Sequence, residues 1–500
     1  MARLSYKPLK ASKILLSTCV AVTLSSCQGE PEKPRLPNIV LMVADDLGTD
    51  DMGAYGHPNI PTPHLDYLAS NGMIFTNAYC TSASCSASRS VILTGLYNHA
   101  TGQYGHSHHY HHFKTADHII TLPYILSQSG YTTARIGKFH IAPDRVYPFD
   151  SVLPANARNA VEMAERSRLF LQSASEPFFL YFCTDDPHRG GGVAEEIPTR
   201  PDRFGNRPEG YPGVETRTYL PEAIIVPDYL PDNLATRHEL AQYYQSVDRM
   251  DQGFGRLFDI LKETGHWENT IIVFMSDNGI AFPGAKTNLY DPAMRLPLVM
   301  AYAPIIEKDA VSDAMVNWSD ITPTLLDMAG LLPGDNSIPF TVDDPDFKWW
   351  ESLPKSSHFH GRSFKSIFTG GNESFDEIYA SHTFHEITMY YPMRVVQDRQ
   401  YKLIWNIASG LDYPSASDLW ASSTWQSVVD NPDNLFGKRT IRNYINRPPF
   451  ELYDMVSDPH EINNLAYKPE YATTLSHYKE KIRQFQLETN DPWVVKWEYE

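Results

Sequence analysis

The chain is predicted to be an α/β protein: a large mixed or parallel central sheet flanked by helices, then a smaller α+β domain with an antiparallel sheet. Three observations predict it. Four apolar runs of strand length, far apart in sequence, each end in polar or ionisable residues, as parallel strands buried on both faces do. Segments with helical spacing of apolar residues separate them. Finally, 500 residues that are 42% hydrophobic and 20% charged make a globular chain too long for one small core.

Before the first run, Arg3, Lys7, Lys10 and Lys13 precede an apolar stretch from Ile14 to Leu24. This is a secretory signal pattern, too short for a membrane span. It ends in Leu24-Ser25-Ser26-Cys27, which resembles a bacterial lipobox, where lipidated Cys27 becomes the new N-terminus. A plain cleaved signal is the alternative. Residues 28–36 are polar and carry prolines, as a tether would. The expected organisation is a signal with lipobox over 1–27, a tether over 28–36, a catalytic domain over 37–370 and a C-terminal subdomain over 371–500. The expected location is the periplasm or cell surface, with the lipid as sole membrane attachment.

The first strand, Pro37 to Ala44, ends in Asp45-Asp46. A helix is expected from His64 to Asn71. After Cys85, a Ser-rich cluster runs into Val91, Ile92, Leu93 and Leu96, which reads as a helix start with serines able to cap its free N–H groups. Cys85 then sits at the positive end of the helix dipole, where anions are favoured. Arg89, one turn on, returns to the same face and can hydrogen-bond Cys85. A helix from Leu122 to Ser129 precedes the strand Tyr131 to Ile136, which ends in Gly137-Lys138-Phe139-His140. A helix from Val161 to Ser173 precedes Pro177 to Phe182, which leads to Asp185-Asp186-Pro187-His188-Arg189.

A proline-rich loop then leads to a long helix from about Ala235 to Thr264. Its apolar stripe (Val247, Met250, Phe254, Leu257, Leu261) turns Asp248 and Asp251 towards capping or solvated roles. The strand Thr270 to Met275 ends in Ser276-Asp277-Asn278-Gly279. Residues 332–357 are loop-like. The smaller domain is expected to hold a strand from Val395 to Ile407 and a helix near Glu470 to Leu487.

Ligands bind at the carboxyl ends of strands in open α/β sheets, so the four polar clusters are expected to meet on one edge. Asp45, Asp46, Asp277 and Asn278 offer hard oxygen donors, suited to calcium or magnesium rather than zinc. His108, His109, His111 and His112 resemble a metal tract in composition, but without soft-ligand partners they read as pocket lining or surface. With Cys19 and Cys27 set aside, Cys80, Cys85 and Cys183 make no disulfide framework, and Cys183 reads as core. The net charge of −18 argues against nucleic-acid binding. A polyanionic ligand would need a local basic pocket.

The stretch Cys85-Ser86-Ala87-Ser88-Arg89-Ser90-Val91-Ile92-Leu93-Thr94-Gly95 resembles the signature of the type I sulfatases. The resemblance runs from Pro37 to Trp493 and narrows to the heparan N-sulfatase (sulfamidase) branch. The narrowing is carried by Val146 to Asp150, Asp186 to Arg189, Arg249 to Gly253, Thr287 to Tyr290, His385 to Met389 and Tyr391 to Arg394. It implies the alkaline-phosphatase-like sulfatase fold and oxidation of Cys85 to formylglycine (3-oxoalanine) by a maturation enzyme. It also implies Ca2+, rather than Mg2+, bound by Asp45, Asp46, Asp277, Asn278 and the modified Cys85. Carried over residue by residue, Arg89 and Lys138 hold the aldehyde hydrate, His188 and Lys286 bind sulfate and leaving group, and His140 is the base that regenerates the aldehyde. His385, Glu386 and Arg394 are expected to contact the sugar. The implied activity is N-desulfation of glucosamine in heparin or heparan sulfate oligosaccharides. An O-sulfatase, a related phosphodiesterase or phosphonate hydrolase, and a non-catalytic glycan-binding lipoprotein are the alternatives; homodimerisation is left open.

Overall fold

A computed structural model describes residues 35–174, 177–190, 202–341 and 355–499. The signal, the lipobox with Cys27 and most of the tether lie outside the described residues, as do parts of the two predicted loops. Leu36–Glu500 forms one compact unit.

Its central sheet has eight strands: β1 (Asn38–Ala44), β2 (Met73–Tyr79), β3 (Thr132–Gly137), β4 (Ser151–Leu153), β5 (Phe178–Cys183), β6 (Thr270–Ser276), β7 (Leu298–Ala301) and β8 (Ala310–Asn317). The spatial order is β4-β3-β5-β1-β6-β7-β2-β8. β7 runs antiparallel to both neighbours, and the other pairings are parallel. Every residue of β1, β5 and β6 is buried, which explains their continuous apolar runs.

The helices that matter to the site are α1 (Pro63–Ser70), α2 (Cys85–Ile92), α3 (Asn98–Thr101), α4 (Leu122–Gln128), α5 (Ala160–Ser173) and α6 (Leu234–Glu263). The four longer ones expected from periodicity begin and end within a residue or so of their predicted bounds. Asp251 on α6 caps a neighbour: its carboxylate accepts from the backbone N–H groups of His64 (3.2 Å) and Leu65 (2.8 Å) at the start of α1.

The second sheet is antiparallel, built from β9 (Glu377–His382), β10 (Met393–Asp398) and β11 (Tyr401–Asn406). Past the short ribbon β12 (Leu435–Phe436) and β13 (Arg439–Thr440), β14 (Phe450–Asp454) completes it. The single strand expected from Val395 to Ile407 is in fact the β10–β11 hairpin. Asp398 Oδ1 accepts from the N–H groups of Gln400 and Tyr401, both at 2.9 Å, and this side-chain turn folds the run back on itself. Strand alternation then divides the burden. Val395 and Ile404 join the main core, while Val396, Leu403 and Leu452 pack against Tyr478 and Ile482 of the helix Ala472–Glu488.

Candidate functional site

Strand register brings the four polar clusters together. Ala44 lies beside Ser276, and Cys183 lies beside both Val43 and Gly137. β3, β5, β1 and β6 therefore end on one edge, as expected. The chains leaving them are stitched together: Asp277 N–H donates to Ala44 O, Asp45 N–H to Asp186 O and Lys138 N–H to Cys183 O, at 2.8–3.1 Å. Gly137 has φ +82, and a Cβ there would lie 2.0 Å from Cys183 O, so only glycine allows this approach. Asp46 holds a left-handed φ of 67, a strained conformation for a non-glycine residue.

Helix α2 aims its first turn into this edge. Cys85 is its first residue, fully buried, with Sγ 3.6 Å from Asp46 Oδ1. The helix start has no side-chain cap. Ser84 occupies the N-cap position without a side-chain capping bond, and its hydroxyl lies 2.9 Å from His385 Nδ1. Arg89 also spends its hydrogen bonds on partners other than Cys85. It donates to Asp277 Oδ2 at 2.8 Å, Asp45 Oδ1 at 3.5 Å and Lys138 O at 3.3 Å. A guanidinium seeks carboxylates over a neutral thiol, and burial pushes the Cys85 thiol well above its ordinary value.

The remaining cations close round the acids. Lys138 pairs with Asp45. Lys286 reaches Asp46 Oδ2 at 2.9 Å and Asp418 Oδ2 at 3.2 Å, and stands 3.3 Å from His188 Nδ1. His188 Nδ1 also contacts Asp46 Oδ2 at 2.5 Å. Burial alone would raise both aspartates, but Lys138 and its neighbours hold Asp45 well below the carboxylate range. Lys286 does most to hold Asp46 near 2. Asp277 fares differently: burial, with Asp45 and Asp46 close by, overcomes Arg89 and pushes it to about 7.

A divalent cation fits this donor set. Asp45 and Asp46, with Cys85 and His188, bring ligand atoms within 4.8 Å of one another, Asp277 is fully buried beside them, and the amide oxygen of Asn278 is buried without a hydrogen-bond partner. Asp46 accepts from Asn278 Nδ2 at 2.5 Å, which ties the two strand ends into one cup. Hard oxygen donors alone select calcium or magnesium.

The predicted sugar-binding residues separate. His385 is buried between Ser84 and His106, each at 2.9 Å. Glu386 lies near the rim, accepting from Ser417 N–H at 3.0 Å and its hydroxyl at 2.5 Å. Arg394 corrects its expectation. Fully buried, it makes a two-pronged pair with Asp491 (2.5 and 2.9 Å) and donates to the carbonyls of His382 and Met393. Its charge is consumed inside the second sheet.

His140 hydrogen-bonds His108 through Nε2, while its Nδ1 is buried without a partner. Burial and the charge on Lys138 keep its imidazole unprotonated, well below the ordinary histidine value. Sequence reasoning missed three features. Asp418, the second partner of Lys286, sits in a surface-like stretch with no marker. His106 joins the histidine cluster. A buried clamp also fixes the His188 loop: Arg249 grips both oxygens of Asp186 (2.7 and 2.8 Å), and Arg158 binds Asp186 at 2.9 Å and His188 O at 3.0 Å. Arg249 lies in one of the segments that carried the resemblance, but nothing local disclosed its task.

Comparison with known proteins follows the geometry. A family model described as Sulfatase matches residues 37–331. Over 491 residues the chain is 36% identical to N-sulphoglucosamine sulphohydrolase of Homo sapiens, covering 95% of this chain and 93% of that one. It is 25% identical over 500 residues to an ulvan-active sulfatase of Formosa agariphila, covering 95% and 87%. One solved structure, in complex with its substrate D-glucosamine-2-N,6-O-disulfate, matches with a TM-score of 0.63 at 21% identity, over 92% of this chain and 99% of that one. At that identity the likeness speaks for the fold.

Proposed function

The chain belongs to the sulfatase family, and from that premise we propose that it removes the N-sulfate of glucosamine residues in heparin or heparan sulfate oligosaccharides, releasing inorganic sulfate. The observation that carries this reading is the near-full-length identity to human N-sulphoglucosamine sulphohydrolase, which extends past the matched family segment into the C-terminal sheet. The local chemistry supports it. In a chain of net charge −18, Arg89, Lys138 and Lys286 all converge near residue 85, the kind of pocket a small anion requires.

With Cys85 matured to formylglycine and Ca2+ held by Asp45, Asp46, Asp277 and Asn278, the site gains an aldehyde hydrate as nucleophile and a Lewis acid for the sulfate oxygens. The chain's own residues do the rest. Arg89, anchored by Asp277 and Asp45, and Lys138, anchored by Asp45, orient residue 85. Asp277, one of the acids that would hold the ion, takes the proton of the attacking hydroxyl. His188 and Lys286 face the leaving group, and one of them protonates the departing amine as the S–N bond breaks. His140, kept as free base, takes the proton whose removal expels sulfate. Asp418 holds Lys286 in place, and Glu386 meets the sugar at the rim.

The test is sulfate release from N-sulfated glucosamine and from 6-O-sulfated N-acetylglucosamine, with the protein co-produced with a formylglycine-generating enzyme and a Cys85→Ala control. Release from the N-sulfated sugar alone, lost in the control, is the expected result. Release from the O-sulfated sugar alone would replace the specificity with O-desulfation. Silence on both, with the aldehyde at residue 85 present by mass spectrometry, would remove the reading and turn attention to phosphodiesters and phosphonates. We further propose export with a lipid anchor on Cys27, for which Cys27→Ala should move the protein from the membrane to the soluble fraction.

A further inference from the structure

Beside the carboxylate cup lies a second cluster of a different chemical kind. His106, His108 and His140 each offer a ring nitrogen, and the three atoms lie within 4.8 Å of one another. The rings lie close together, with centroids 4.7 Å apart for the stacked pair His106 and His140, and 4.8 Å for His106 and His108 and 4.4 Å for His108 and His140, both tilted. Two come from the histidine-rich loop after α3 and one from the chain leaving β3, so distant segments converge. We infer that His106, His108 and His140 form a binding site for a divalent transition-metal ion of the zinc class, separate from the hard-oxygen cup.

Three neutral imidazoles with an open fourth position match zinc's preferences. Zn–N bonds of about 2.0–2.1 Å in a tetrahedron place ligand nitrogens about 3.3 Å apart, so the ion would replace the His140–His108 hydrogen bond, and rotamer adjustments of roughly an ångström would bring the trio to that spacing. An outer shell is present. His106 Nε2 lies 2.9 Å from His385 Nε2, and His385 Nδ1 lies 2.9 Å from Ser84 Oγ; such partners fix ring orientation. His140 Nδ1 is an orphaned buried atom within the cluster. Burial, and then the neighbouring charges, hold His106 and His140 well below their ordinary values, and the same causes bring His108 to about 4. A metal arriving at neutral pH therefore displaces no protons. Lys138 opposes it, since its charge reaches His106, His108 and His140, but Asp45 already pairs with that ammonium. Such an ion would occupy His140 and block its proton transfer. That consequence rests on the function proposed above, whereas the binding does not.

The experiment uses tag-free, full-length Cys85→Ala protein, which removes the competing thiol, in saturating Ca2+, which fills the oxygen cup. Co2+ and then Zn2+ are titrated while the visible spectrum and bound metal are followed. One ion per chain is expected, with the visible absorption of tetrahedral Co2+ lost as Zn2+ displaces it. Adding His108→Ala, at an exposed position outside the core, should weaken binding by at least about a hundredfold, the upper end of losing an outer-shell partner. His106→Ala should do the same, while a His109→Ala/His112→Ala pair should bind normally. No binding in the Cys85→Ala protein overturns the inference. So does binding that survives removal of both His106 and His108, or that disappears with His109 and His112.

Discussion

Replacing Arg394 by methionine distinguishes a sugar-binding arginine from one consumed in the fold. The variant keeps the length of the side chain and deletes its charge, leaving the Asp491 carboxylate, fully buried, with only Gln486 Nε2 and the Trp493 N–H as donors, each at 3.0 Å. Breaking a buried ion pair from one side costs about 3–5 kcal/mol. Unfolding entropy is about 2.1 cal/mol/K per residue near 60 °C, so across Leu36–Glu500 each kcal/mol moves Tm by about 1 °C. The expected loss is about 3–5 °C, with KM within twofold of the parent. The pH dependence has a definite sign. Burial pushes Asp491 up, but Arg394 overcomes it and holds the carboxyl well below its usual range. This stabilisation is present above the unfolded value near 3.9 and is lost as pH falls, so parent and variant should converge in acid. The double variant Arg394→Met/Asp491→Leu should recover most of the lost stability, because no charge is stranded. Thermal unfolding by circular dichroism, paired with KM, is the assay. An unchanged Tm with KM raised tenfold would refute the reasoning and return Arg394 to the substrate.

Asp186→Asn weakens the clamp from Arg249 and Arg158 that fixes the His188 loop; an ångström of displacement can cost a hundredfold, so kcat/KM should fall by about 10–100-fold, and a lowered Tm with full kcat/KM would make the clamp purely structural. Chelation should abolish turnover, and Ca2+ restored at a hundred times its Kd, worth about 2.7 kcal/mol, should raise Tm by about 3 °C; a Tm indifferent to chelator and calcium would dismiss the cup as a metal site. His99 is brought to about 4 by burial, and His360 and His382 to about 3. Below the unfolded value of about 6.5 the denatured chain gains protons that the fold refuses, so stability should fall as pH drops from 7.5 to 5.5, by up to about 1.4 kcal/mol per pH unit per histidine. His99→Gln should reduce that slope by one proton, and a flat profile in the parent would contradict the assignment.

What the sequence disclosed about the site follows a physical boundary. Asp45, Asp46, Asp277, Lys138 and His188 were legible because each follows a continuous apolar run, and a strand buried on both faces must emerge at an edge where polar atoms can be held. Convergence of the four ends then needed only parallel order, which the helices between them supply. Pairings between side chains far apart in sequence left no such trace. Serines near the helix start suggested capping, yet Ser84 at the N-cap position meets His385, three hundred residues on, instead. Arg394 carries the residue type expected of a carbohydrate contact, yet Asp491 claims it. The histidine tract shows both sides of the boundary. Composition read His108 as pocket lining or surface, and it is exposed, but set metal aside because the tract held no partner. The partner, His140, is supplied by β3, and only the fold brings a ring from one strand end over a loop that begins thirty residues earlier.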